Sequence, residues 1–302
     1  MDFKVTGYSE RGVINSLIYN IFYSKNNLEK IKIFLSMICL PNLGNIQNNI
    51  RISDFSNVNK VEILIEQSFS DFGDCDLVIL VEKNINSEKV KQAIFVEAKV
   101  KTYRVSRSSS WSIAKEYDKF KNKNTSSLFF QLYSKMQLIE LLKSKQSKNK
   151  VKELNNLLNE ESRETGYYKK RKELVDLLGI KCDWKEGFWL KRDKKGENII
   201  SRKLGGNIVV LKAAEKLSEY CIGDDADNAL FVALLPEERK KLEKFFKEKL
   251  KPLCIHKSEC CVKPETYYRW GFITWNNIND FCNNNGLSDA ESVFKYNKWQ
   301  IY

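Results

Sequence analysis

Hydrophobic positions along the chain recur at two periods, and the switches between them mark its elements. Ile14, Leu17, Ile18, Ile21 and Phe22 repeat at helical spacing, which predicts an amphipathic helix over residues 9–23 with Ser9 placed to cap its first turn. A second helix is expected over 28–39, stopping near Pro41, whose ring and missing N–H discourage continuation. The Asn-rich stretch up to about residue 59 reads as loop. The period then changes to two. Val61, Ile63 and Ile65 alternate with Glu62 and Glu66, as on a half-buried strand, and residues 70–73 supply a turn. The short apolar run 77–81 suits a strand covered on both faces, the polar stretch 83–91 reads as a hairpin connection, and 93–100 is expected to form a third strand. Three successive strands make a meander.

Helical spacing returns at 111–120 and at 128–142, where Phe129, Leu132, Met136 and Ile139 share one face. Hydrophobicity then falls, through a Lys-rich stretch at 143–148 and a basic run at Lys169, Lys170, Arg171 and Lys172. Residues 231–235 form another apolar run of strand length, followed by Pro236 and Glu237 in the first positions of a helix carrying Leu242, Phe245, Phe246 and Leu250. A further strand is expected at 270–275, and the tail 276–302 has room for one helix and an aromatic-rich end. The pattern predicts an α/β fold in three parts. Residues 1–142 hold a helix, the meander and a helix; 143–227 form a mainly helical insertion; 228–302 return the remaining core strands and the C-terminal helices.

Composition narrows the partners. The chain has 302 residues, 42% hydrophobic and 12% aromatic, which suits a folded protein with a large core. Lys and Arg total 51 against 39 Asp and Glu, a net charge of +12 that favours a polyanionic partner. No apolar run approaches the roughly 20 residues needed to span a bilayer, so nucleic acid is favoured over membrane. The start Met1-Asp2-Phe3-Lys4 lacks the basic-then-apolar pattern of a signal peptide, and a cytoplasmic location is expected. The eight Cys, at 39, 75, 182, 221, 254, 260, 261 and 282, lack the regular spacing of a disulfide framework, and reduced thiols are expected.

Chemistry concentrates in two pieces: Gly73-Asp74-Cys75-Asp76 running into the strand 77–81, and Ile94-Phe95-Val96-Glu97-Ala98-Lys99. Alternate side chains of a strand share a face, so Glu97 and Lys99 project together while Ala98 points away. If the two strands pair as a hairpin, Asp76 at the start of one meets Glu97 near the end of the other. Two converging carboxylates make a hard-oxygen site suited to Mg²⁺ or Mn²⁺, and a lysine beside them can orient water or stabilise charge on a phosphodiester undergoing hydrolysis. Asp74 is the alternative first carboxylate.

This arrangement resembles the PD-(D/E)XK nuclease superfamily, whose signature is an acidic residue on one strand and Glu-x-Lys on the next, here Asp76 and Glu97-Ala98-Lys99. Cys75 stands where the family usually carries Pro. The resemblance covers roughly the first 140 residues. It implies a restriction-endonuclease-like mixed central sheet flanked by helices, with the Ala98 carbonyl as an extra metal ligand. It further implies that Glu10, on the first helix, supports the metal and that Gln131, on the helix after the third strand, orients Lys99 or substrate. The implied activity is Mg²⁺- or Mn²⁺-dependent hydrolysis of DNA in restriction or defence, with double-stranded DNA as partner. A homodimer is expected, because cutting both strands at one place usually calls for two active sites. The alternatives are a non-catalytic nucleic-acid-binding protein with a nuclease-like fold and an RNase effector, since DNA and RNA present the same phosphate.

Lys101, Tyr103, Arg104 and Arg107 follow the site directly, and basic groups interleaved with an aromatic favour contact with phosphates and bases. The run 169–172 reads better as a solvated helix face. Cys254, His256, Cys260 and Cys261 bring three thiols and the only His together, but at spacings of no standard zinc knuckle. That single His also argues against Ser-His-Asp or Cys-His catalysis. Gly205-Gly206 lacks a following Gly-Lys-Ser/Thr and reads as a turn. Tyr267, Tyr268, Trp270 and Trp275 are expected to pack in the core.

Overall fold

A computed structural model of the chain describes residues 10–43, 49–69, 72–101, 111–121, 126–143, 190–192, 198–200, 208–221, 223–250 and 268–298. The helices α1 (Glu10–Tyr23), α2 (Asn27–Ser36) and α3 (Asn49–Ser53) precede the strands β1 (Val58–Ser68), β2 (Asp74–Ile85) and β3 (Glu88–Ala98). Then come α4 (Ile113–Lys121), α5 (Leu128–Leu142), the small ribbon β4 (Leu190–Arg192) and β5 (Asn198–Ile200), and α6 (Ile208–Ser218). A 3₁₀ turn, Gly223–Asn228, leads into β6 (Leu230–Leu235), and α7 (Arg239–Lys249), β7 (Trp270–Thr274), α8 (Trp275–Asn284) and α9 (Ser288–Tyr296) complete the described chain.

The result is an α/β architecture built on a five-stranded mixed sheet in the order β1-β2-β3-β6-β7. The meander β1-β2-β3 is antiparallel, whereas β6 and β7 continue from β3 in parallel. Parallel neighbours need long crossovers, and here helices supply the cover on both sides. Val78, Leu80, Phe95, Phe231 and Trp270 point to one face, under α4, α5, α6 and α7. Leu77, Ile79, Ile94, Val96 and Val232 point to the other, under α1, α2, α8 and α9. The continuous apolar runs at 77–81 and 231–235 follow from this two-sided burial.

Several boundaries differ from the sequence expectation. The stretch 83–91 is not a connection: β2 runs on to Ile85 and β3 starts at Glu88. They are joined by Asn86 and Ser87, whose φ of 49° and 68° give the tight two-residue turn of a β-hairpin. The second helix ends at Ser36, because Cys39 instead exchanges backbone hydrogen bonds with Phe272 of β7, at 2.9 and 3.0 Å. The close approach needs Gly271, where a Cβ would lie 2.7 Å from the Cys39 carbonyl oxygen. A short helix, α3, occurs within the stretch read as loop. Pro236 and Glu237 precede α7 rather than opening it, and the tail holds two helices in place of one. In α1 Val13 is buried while Phe22 is 63% exposed. The described part of 143–227 contains the β4–β5 ribbon as well as a helix.

The long hairpin buries polar side chains that sequence pattern assigns to solvent. Lys83 is fully buried; its Nζ donates to the Asp54 carbonyl at 2.8 Å and lies 4.7 Å from the centre of the Phe55 ring. Burial pushes the Lys83 ammonium down to about 7 from its ordinary 10.5, opposed by the charge of Asp54. Between those two values the unfolded chain holds a proton that the folded chain has released, so this group makes stability rise as pH rises. In Lys83→Met the increase in urea midpoint between about pH 7 and about pH 10 is expected to flatten. Parallel midpoint curves for parent and variant would show that Lys83 does not titrate in this way.

Candidate active site

The polar end of the sheet is where β2 begins and β3, β6 and β7 end. The β2–β3 ladder stops at the pair Leu77–Val96, so the next facing residues are Asp76 and Glu97. There the alternation of β2 breaks: Cys75 packs with the α5 side of the sheet although Leu77 packs with the α1 side. The Asp76 carboxylate takes over the ladder's role, its Oδ2 accepting from the Ala98 N–H at 2.9 Å. β3 meanwhile stays bonded to β6, with the Lys99 N–H donating to the Leu234 carbonyl at 2.9 Å. The indole N–H of Trp275 donates to the Lys99 carbonyl at 2.8 Å, so the backbone of Lys99 is clamped from both sides.

Glu10, in the first turn of α1, reaches the same end. Its Oε1 accepts from the Val100 N–H at 3.0 Å, and its Oε2 lies 4.0 Å from Lys99 Nζ. Burial pushes the Glu10 carboxyl up; Lys99 and the Val100 bond oppose that, while Asp76 and Glu116 add to it. The structure thus brings Asp76, Glu97, Lys99 and Glu10 to one end of the sheet. Ala98 closes β3 between the two charged residues of its motif. Asp74, the alternative carboxylate, is exposed and two residues further out on β2. Lys101 is half-buried just past the site, while Tyr103, Arg104 and Arg107 lie outside the described residues, as do Cys254, His256, Cys260 and Cys261.

Glu97 is the most enclosed of the acids, 2% exposed. Burial pushes its carboxyl up to about 7; Lys135 opposes the shift, Asp76 adds to it and Lys99 opposes it. Lys135, on α5 and fully buried, sits with its Nζ 3.4 Å from Glu97 Oε1. That ion pair is longer than the bonds Lys135 makes to the Phe72 and Asp74 carbonyls, and no other donor among the described residues reaches Oε1. Gln131 lies one helical turn before Lys135, and its Oε1 is buried without a donor. Buried acceptors short of donors in a low-dielectric environment are costly, a deficit that an added cation or donor would relieve.

Three charged neighbours were missed by sequence reasoning. Arg11 places Nε 3.8 Å from Asp76 Oδ1 and NH1 3.6 Å from Glu66 Oε2. Glu116, 3% exposed, accepts the Leu128 N–H at 2.9 Å and so holds the start of α5, which Ser127 caps through the Phe130 N–H at 3.2 Å. Lys135 is the third, and a signal for it existed. Leu128, Gln131, Lys135, Leu138 and Leu142 follow one another at alternating steps of three and four, a stripe that should be wholly apolar on a core helix. Gln131 and Lys135 are its two exceptions.

Among the described residues no group of three or more His, Cys, Asp and Glu side chains is arranged to hold a metal ion. A pair of carboxylates is nevertheless a usual protein share for Mg²⁺, which keeps several of its waters. Asp76 and Glu97, whose Oε1 is met only by the longer Lys135 contact among the described residues, fit that demand. No helix among the described residues is long and apolar enough to cross a membrane. No family model, curated protein or solved structure matches the chain.

Proposed function

We propose that the protein is a divalent-metal-dependent nuclease of the PD-(D/E)XK type, with a restriction-endonuclease-like core, that hydrolyses phosphodiester bonds in DNA. The observation that carries this reading is the meeting of Asp76, Glu97 and Lys99 at the ends of paired strands, with the buried Glu97 Oε1 met only by the longer Lys135 contact at 3.4 Å among the described residues. The excess of basic residues, +12 overall, supports a polyanionic substrate.

In this reading Asp76 and Glu97 hold Mg²⁺ or Mn²⁺, with the Ala98 carbonyl and Glu10 as further oxygen donors. A divalent ion bound there supplies Lewis acidity toward the phosphodiester. Lys99, fixed through its backbone by Leu234 and Trp275, directs its ammonium to the charge that builds on phosphate oxygens as water attacks. Water oxygen bonds phosphorus, the P–O bond to one sugar breaks, and one proton of the water ends on the departing oxygen. Glu10 helps aim the Lys99 ammonium from 4.0 Å. Arg11, half-exposed beside Asp76, is placed to meet a phosphate as it enters. Gln131, one helical turn before Lys135 on α5, orients Lys99 or substrate in this reading.

The test is conversion of supercoiled plasmid to nicked or linear forms by parent and Asp76→Asn proteins, with Mg²⁺ or with chelator. Cleavage by the parent with Mg²⁺ alone, lost in the variant, is expected. Equal cleavage by the two proteins would remove Asp76 from the mechanism and return Asp74 to the first-carboxylate role.

A further inference from the structure

Lys135 is an unusual residue to find at the centre of a core helix. Its ammonium is withdrawn from water, a cost that persists only where partners offset it. The partners are specific. Nζ donates to the Phe72 carbonyl at 2.9 Å and to the Asp74 carbonyl at 2.7 Å, with the Gln131 carbonyl more distant at 3.5 Å. Both near carbonyls belong to the turn that delivers β2, and Gly73 between them has a φ of 77°, a left-handed conformation that suits glycine. A Cβ on Gly73 would stand 3.4 Å from Nζ, so ammonium and turn are fitted closely together. The remaining direction of the ammonium faces Glu97 Oε1 at 3.4 Å.

The three cations around the acids differ in what could displace them. Arg11 is 52% exposed and Lys99 15%, whereas Lys135 is 0% exposed and tied to two backbone carbonyls. An arriving metal ion can push Arg11 aside into solvent. Lys135 has nowhere to go. The side chain therefore stays beside Glu97 whether or not a metal ion is present, and a cation held there repels a second divalent ion from that side of the carboxylate. At 3.4 Å the contact is looser than the bonds Lys135 makes to the two carbonyls, which leaves room on Glu97 Oε1 for a first ion.

We propose that Lys135 is a built-in cation of the acidic site, standing where a second divalent ion would otherwise sit, so that each chain takes a single catalytic metal ion. This rests on the reading of Asp76 and Glu97 as metal ligands. Lys135 acts through Glu97 and is a positioning residue, with no contact to substrate.

Mn²⁺ binding to the full chain without nucleic acid, followed by calorimetric titration, tests it. The parent is expected to take up one Mn²⁺ per chain, Lys135→Arg one, and Lys135→Met, which keeps the length but not the charge, two. A purely structural lysine would leave the count at one in a folded Lys135→Met protein, and that result overturns the proposal. Circular dichroism establishes folding. Should Lys135→Met not fold, the parent count decides: one ion supports the built-in cation and two overturn it. Failure of the parent to bind Mn²⁺ at all would instead overturn the metal-dependent reading on which the proposal rests.

Discussion

A folded Lys99→Ala protein is expected to lose about 10²- to 10³-fold in kcat for phosphodiester cleavage while binding Mn²⁺ as the parent does. The reason is the division of labour at the end of β3. In the proposed mechanism Lys99 contributes no ligand atom and its ammonium matters only as charge develops on the phosphate, so its loss should raise the barrier and leave the ground state alone. Glu97→Gln is expected to lose cleavage and Mn²⁺ binding together, because the amide offers a neutral oxygen in place of a carboxylate. The two variants thus separate chemistry from metal capture. Single-turnover cleavage and Mn²⁺ titration on both proteins check this. Lys99→Ala at parental rate, or with metal binding as damaged as in Glu97→Gln, contradicts the assignment.

The largest effect on stability is expected from Phe129→Ala, at about 3–5 kcal/mol. Phe129 stands where α4, α5, α7 and β7 meet. Its ring lies 5.7 Å from that of Tyr117, 6.1 Å from Phe245, 6.4 Å from Phe246 and 6.2 Å from Trp270. Truncation removes a partner from several aromatic pairs at once and leaves a cavity that the sheet beneath cannot close, since Phe231 and Trp270 are themselves fully buried. Urea denaturation gives the value. A loss under about 1 kcal/mol would mean that the α5 layer can collapse around the gap, against the tight packing described for it.

The fold was legible in the sequence wherever burial follows period. The apolar runs 77–81 and 231–235 mark strands covered on both faces, and the stripe through Phe129, Leu132, Met136 and Ile139 marks α5. What escaped was polar residues buried by partners distant in sequence. The Gln92 side-chain amide donates to the Ile52 carbonyl at 3.0 Å and the Asn228 carbonyl at 2.7 Å, which lets β3 extend through a stretch that reads as hairpin loop. Lys83 and Lys135 escaped for the same reason: carbonyls from Asp54, just after α3, and from the turn into β2 receive their side-chain hydrogen bonds, and neither partner is visible in local pattern. That Asp76, Glu97 and Lys99 come to one end of the sheet was readable because charge at the end of an apolar strand is a local feature. Their surroundings, Arg11, Glu116 and Lys135, are set by tertiary packing.

The central claim is metal-dependent cleavage of DNA, and a substrate panel tests it most directly. Purified parent protein is mixed with supercoiled and linear duplex DNA, single-stranded DNA and RNA, each with Mg²⁺, Mn²⁺ or chelator. The account predicts cleavage of duplex DNA with either metal and none with chelator. Intact DNA under every condition, or cleavage that persists in chelator, would contradict it.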